Sequence, residues 1–124
     1  MFFFALTLQA LVLSITDGDT ITVQAGSGVE SVRIENIDTP EMPPKAKCAS
    51  EEARALAAKA AMEALAPPGS VVVLHIGKRQ RDRYGRLLAR IELPGGADAG
   101  QMLIDTGLAR PWRGKRMSWC ALSN

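Results

Sequence analysis

The chain has 124 residues, enough for one domain with a single core and too few for two. Its composition, 47% hydrophobic and 23% charged, is that of an ordinary globular protein and excludes a disordered or low-complexity chain. The net charge of +2 is small but uneven, with Lys78, Arg79, Arg81, Arg83, Arg86 and Arg90 in one cluster and Arg110, Arg113, Lys115 and Arg116 in another; this fits either a face that steers a polyanion or two solvated surface segments.

Met1 to Ile15 is almost wholly apolar, yet it lacks a basic lead and is too short for a membrane span. Residues 1–8 read either as the remnant of a secretion signal or as a lead-in to the first strand, with the domain proper over residues 9–124. Leu11 to Thr16 is rich in branched residues and ends on Asp17-Gly18, a hairpin signal, after which Thr20 to Gln24 alternates as a strand does. Val29 to Ile37 is a third strand carried by Val32, Ile34 and Ile37. Thr39-Pro40-Glu41 stops it, because proline removes a ladder donor.

Met42 to Ala49 is a proline-rich loop, and Ser50 is the expected N-cap of a helix whose first turn carries Glu51 and Glu52. That helix runs to about Ala66, with Ala53, Leu56, Ala60 and Ala64 near one face, and Pro67-Pro68-Gly69 ends it. Val71 to Ile76 is a continuous apolar strand that pairs with Leu87 to Leu93 across the Asp82 to Arg86 turn. A shorter helix covers Ala99 to Thr106, with Gly107 as its stop. The fold class is therefore mainly β with helices, in the order β-β-β-α-β-β-α. Five short strands with a helix between the third and fourth is the arrangement of an OB-fold barrel, which often binds nucleic acids or oligosaccharides.

Carboxylates at Asp19, Asp38 and Glu41 and guanidinium groups at Arg33 and Arg86 are the parts that a metal-assisted phosphodiester cleavage needs. Each signal alone is weak: Asp17-Gly18-Asp19-Thr20 is a common turn, and Asp82 to Arg86 in isolation reads sooner as a basic hairpin tip with Tyr84 packing. Their convergence gives them weight, since hard divalent cations take several oxygen ligands from separate segments. His75 lies inside an apolar strand and reads as structural, and Trp119 reads as packing. Cys48 and Cys120 match no zinc or redox spacing; they are either one long-range disulfide or two unrelated buried thiols. A disulfide would favour an exported protein, periplasmic or extracellular.

Ile15-x-Asp-Gly-Asp-Thr-Ile, Arg33-x-x-x-x-Asp-Thr-Pro-Glu, Asp82-Arg-Tyr-Gly-Arg-x-Leu-Ala-Arg-Ile and Gly107-Leu-Ala-Arg-Pro-Trp, in this order and spacing, resemble the staphylococcal nuclease (thermonuclease) family over about Ala10 to Trp112. The resemblance implies that Asp19 and Asp38 bind Ca²⁺ with the Thr39 carbonyl as third ligand, that Glu41 activates or orients the attacking water, and that Arg33 and Arg86 grip the scissile phosphate. Arg83 and Tyr84 are candidate substrate-binding residues; Arg110-Pro111-Trp112 departs from the best-known member, which carries a tyrosine-bearing segment there, so Trp112 is a candidate base-stacking residue. The ending at Asn124 leaves no room for that member's long last helix, and Trp119-Cys120 together with Cys48 resemble a shorter bacterial branch. We expect a Cys48–Cys120 bond to clamp the tail in place of that helix.

The implied activity is calcium-dependent hydrolysis of DNA and RNA with little sequence specificity, leaving 3'-phosphate ends, on single-stranded or locally open substrate. A monomer with no stable membrane partner is expected. The alternative is a catalytically silent nuclease-like OB-fold module that binds nucleic acid or protein, since a fold does not imply chemistry. A silent module has no need of Asp19, Asp38, Glu41, Arg33 and Arg86 together. A membrane-anchored or structural protein rests on the apolar start alone.

Overall fold

The computed structural model describes residues 6–26 and 28–120. In chain order these form β1 (Leu6–Asp17), β2 (Thr20–Ala25), β3 (Gly28–Ile34), β4 (Ile37–Asp38), α1 (Ala49–Leu65), β5 (Val71–Ile76), β6 (Leu87–Glu92), α2 (Ala99–Asp105) and β7 (Arg110–Pro111). Five strands close a barrel in the order β1-β2-β3-β6-β5, with β3 and β6 parallel and the remaining pairs antiparallel. This is the expected OB-type architecture, with a small β4–β7 ladder added beside it.

Alternation fills the barrel. Ile21, Val23 and Ala25 of β2, Val72, Leu74 and Ile76 of β5, and Leu87, Ala89 and Ile91 of β6 all point inward at period two. In β1 the inward residues are Ala10, Val12 and Ile15, a spacing that breaks the alternation. The cause is a register shift against β2 between Val12 and Ser14, where one extra residue on β1 reverses the phase of its side chains.

β1 is longer than the sequence suggests. Of the stretch 1–8 read as leader or lead-in, residues 1–5 lie outside the described residues, while Leu6, Thr7 and Leu8 pair with Ile76, His75 and Leu74. The third predicted strand is two: Glu35 and Asn36 make a turn between β3 and β4, so Ile37 and Asp38 pair with Pro111 and Arg110 instead of extending the barrel.

Helix α1 keeps nearly its predicted bounds, but its start and its face differ. The N-cap is Cys48 and not Ser50, with no side-chain cap bond. The buried positions are Glu51, Ala55, Ala58 and Met62, whereas Ala53, Leu56, Ala60 and Ala64 are exposed. An alanine-rich helix is nearly as apolar on one side as on another, so docking of the long Met62 side chain into the core sets the rotation, and not the weak sequence pattern. α2 begins at Asp98, whose side chain accepts from Gln101 N, and stops at Gly107 with φ +78° as expected.

Gly18 sits in the β1–β2 turn as the Asp-Gly signal predicts, but not because of a left-handed backbone, since its φ is not among the positive ones. A Cβ there would stand 2.8 Å from Ala58 Cβ on α1 and 3.1 Å from Thr39 Cγ2. Only glycine lets the turn lie this close to the helix and to the chain after β4, which brings Asp17 and Asp19 beside Asp38 and Thr39. Among the described residues, no helix is long and apolar enough to cross a membrane.

Candidate active site

Strand register assembles the site at one end of the barrel. Thr20 pairs with Arg33 and Ile34 N donates to Asp19 O at 2.8 Å, so β2 and β3 present Asp19 and Arg33 side by side. Asp38 and Thr39 enter from the end of β4, and Asp82 to Arg86 from the turn before β6. Beside them opens a cleft of about 830 Å³, whose lining includes Asp19, Arg33, Glu41, Tyr84, Arg86 and Trp112.

Asp19, Asp38 and Thr39 are almost completely buried, and Arg33 is only 7% exposed. One cation ties the acidic groups together, and it comes from the C-terminal segment. Arg116 Nη1 donates to Asp38 Oδ1 at 2.7 Å and to the Thr39 carbonyl at 3.1 Å. Its Nη2 lies 2.7 Å from Glu41 Oε1 and 3.5 Å from Asp19 Oδ2. The guanidinium is thus a cation held by three carboxylates and a carbonyl, which are hard oxygen donors of the kind Ca²⁺ takes. The residues present fit such an ion.

The two other arginines border this cluster. Arg33 Nη2 is 3.5 Å from Asp19 Oδ2, its Nη1 donates to the Ile34 carbonyl, and its guanidinium lies over the Trp112 ring at 5.3 Å. Arg86 Nε donates to Asp82 Oδ2 at 2.7 Å, while Nη1 reaches Thr20 Oγ1 at 3.5 Å. Thr20 Oγ1 in turn donates to Asp19 Oδ1 at 3.1 Å. Arg83 and Tyr84 stand at the rim, with Arg83 Nη2 donating to the Tyr84 hydroxyl at 2.7 Å and Tyr84 68% exposed. Trp112, 40% exposed, forms a wall of the cleft.

All the sequence-predicted catalytic and metal residues thus gather at one place, with the substrate-contact residues around them. Cys48 and Cys120 form a disulfide with a Cα separation of 5.9 Å, joining the start of α1 to the tail that follows β7. Trp119 is buried, as read, and Arg110 stacks on its ring at 3.8 Å. His75 lies on β5 with Nε2 2.7 Å from Glu92 Oε1, outside the residues that line the cleft.

Three further residues shape the site. Asp17 accepts from Asp19 N at 3.1 Å, and burial, followed by the Asp19 charge, pushes its pKa up to about 7. Burial works to raise Asp19 as well, but the Arg33 charge, the hydrogen bond with Asp17 and the Arg116 charge outweigh it and hold that carboxyl below its ordinary value. Glu51, buried on α1, accepts from Glu41 N at 2.9 Å and from Lys47 N at 2.8 Å, fixing the loop that carries Glu41. Asp82 accepts from Tyr84 N, Arg86 N and Arg86 Nε, which shapes the turn and aims Arg86.

Asp17, Asp82 and Glu51 lay in segments already singled out in the sequence, but nothing there separates a supporting carboxylate from a solvated one. Arg116 was part of a basic cluster that read as surface or polyanion-steering charge. No local signal pairs it with acids 75 or more positions upstream; the link is tertiary.

Comparison with known proteins follows the same residues. The sequence model of the family described as Staphylococcal nuclease homologue matches residues 31–118. "Endonuclease YhcR" of Bacillus subtilis (strain 168) is 28% identical over 105 residues, which is 82% of this chain and 9% of that protein. An "Uncharacterized endonuclease" of Escherichia coli O157:H7 is 31% identical over 102 residues, 82% of this chain and 60% of that protein. The chain therefore spans no more than 60% of the length of these curated relatives. Asp17 and Asp19 lie before the matched family span, and their membership of the site rests on the barrel's register.

Proposed function

The chain belongs to the staphylococcal nuclease family, and from that premise we propose that it is a Ca²⁺-dependent phosphodiesterase that hydrolyses DNA and RNA with little sequence specificity and leaves 3'-phosphate ends. The observation that carries this reading is that Asp19, Asp38, Glu41 and the Thr39 carbonyl converge on one cation position, with Arg33 3.5 Å from Asp19 and Arg86 3.5 Å from the Thr20 hydroxyl that donates to Asp19.

Bound there, Ca²⁺ would supply positive charge against a phosphate oxygen, with Asp19, Asp38 and the Thr39 carbonyl as its holders. Arg33 and Arg86 grip the phosphodiester through their forks, and donate to the equatorial oxygens whose charge grows as the phosphorus becomes pentacoordinate. Glu41, 21% exposed at the cleft, orients a water and accepts its proton. The water oxygen bonds to phosphorus, the bond to the 5' oxygen breaks, that oxygen takes up a proton from solvent water as it leaves, and Glu41 returns its proton to solvent. A 3'-phosphate and a 5'-hydroxyl remain. Arg83, Tyr84 and Trp112 give the flanking nucleotides charge and flat surfaces without reading base edges, which accords with low sequence specificity and with single-stranded or locally open substrate. The Cys48–Cys120 bond supports export to an oxidising compartment.

One observation favours the silent binding module: the cation position holds the chain's own Arg116. Digestion of single-stranded DNA decides between the two readings. Cleavage in Ca²⁺ that stops in excess chelator, and recovers poorly in Mg²⁺, supports the enzyme, because Mg²⁺ demands a near-octahedral shell and holds its waters. Full activity in chelator sinks the mechanism, and no cleavage in any metal leaves the binding module.

A further inference from the structure

Resting on the reading of Asp19, Asp38, Thr39 and Glu41 as a cation site, we propose that Arg116 is an intramolecular competitor for the divalent ion: a tethered guanidinium that must leave before the ion can bind. The geometry is that of a plug. A single planar fork touches all four groups, with contacts of 2.7 Å to Asp38 and Glu41, 3.1 Å to the Thr39 carbonyl and 3.5 Å to Asp19. A calcium ion needs the same lone pairs at shorter range, so the two cations exclude each other.

The plug is held on both sides. Upstream, β7 pairs with β4 and Trp112 N donates to Asn36 O at 3.0 Å. Downstream, Met117 N donates to Asp38 Oδ2 at 3.3 Å, Trp119 is buried and Cys120 is bonded to Cys48. These anchors fix a high effective concentration of Arg116 at the carboxylates, independent of protein concentration. The side chain is nevertheless 41% exposed, and residues 113–118 are exposed too, so it can swing out without breaking either anchor. The apparent affinity for the ion is then the intrinsic affinity reduced by the fraction of molecules with Arg116 out. Loss of a charge this far into the site differs from loss of a charge on the surface, and Arg113 supplies the comparison: it is exposed, three residues away and outside the cleft lining.

The test is calorimetric titration of Ca²⁺ into the oxidised full chain, without nucleic acid, for the parent and for Arg116→Gln, Arg113→Gln and Asp38→Asn, each checked for folding by circular dichroism. We expect Arg116→Gln to bind Ca²⁺ more tightly by about tenfold or more, since charge-assisted hydrogen bonds no longer oppose the ion. Arg113→Gln should match the parent, and Asp38→Asn should lose affinity. Should Arg116→Gln misfold, Arg116→Lys, which keeps the charge and loses the fork, must shift in the same direction by less. Equal affinity for parent and Arg116→Gln, with Asp38→Asn weakened, overturns the competition and leaves the cation site standing. Equal tightening by Arg113→Gln also overturns it, by assigning the effect to net charge. Absence of binding in every protein overturns both the competition and the cation site.

Discussion

Reduction of the Cys48–Cys120 bond is the perturbation whose size the structure sets most directly. The bond joins residues 72 positions apart, so in the unfolded chain it closes more than half the protein into a loop. On the chain-entropy account this constraint contributes about 4 kcal/mol of stability. With an unfolding entropy of about 2 cal/mol/K per residue, a domain of this size loses about 15 °C in Tm when it is released. The assay is a thermal melt by circular dichroism with and without a phosphine reductant, with Cys48→Ser/Cys120→Ser as the reductant-insensitive control. A shift of less than about 3 °C would refute the reasoning. It would mean that Trp119 burial and the Arg110 stack already hold the tail and that the unfolded chain is not materially constrained. Reduction also loosens the downstream anchor of Arg116, so Ca²⁺ binding to the parent should tighten while Arg116→Gln responds little.

Arg33→Lys and Arg86→Lys keep the charge and lose the fork; each should lower cleavage by about 100-fold or more while leaving Tm nearly unchanged, and a lysine variant as fast as the parent would demote that arginine to basic surface. Gly18→Ala should cost about 1–3 kcal/mol of stability in a denaturant titration, because its Cβ would stand 2.8 Å from Ala58 Cβ on a packed helix. A neutral result would show that the turn can move away from α1. Asp17 gives a pH signature. Its folded pKa of about 7 lies above the ordinary 3.8, so between these values the folded state holds a proton that the unfolded chain has released, and stability falls as pH rises through that window. Asp17→Asn keeps an acceptor for Asp19 N and removes the penalty. Its Tm advantage over the parent should be small near the lower value, grow through the window and level off above the upper one, and a difference that stays constant across the window would refute the assignment.

The sequence by itself determined the barrel and the chemical inventory of the site. Strand β2 is legible because alternation is a short-range consequence of the pleat, β5 because it is a continuous apolar run, and β6 because it follows the Asp82 to Arg86 turn, while Pro40, Pro67, Gly69 and Gly107 mark ends through local backbone restrictions. Asp19, Arg33, Asp38, Glu41 and Arg86 were legible because each falls at a strand end or turn within a motif of fixed spacing. What tertiary structure decided is whatever depends on a partner distant in the chain. The face of α1 was set by where Met62 fits the core, since alanine offers no direction of its own. The phase of β1 was set by a bulge against β2 that alternation does not announce. Gly18 was read as a turn residue, yet its physical necessity is the approach of Ala58 and Thr39. Arg116 shows the limit most plainly: from its neighbours it is one more surface cation, and only the β4–β7 pairing and the Cys48–Cys120 bond carry it back to carboxylates at the other end of the domain.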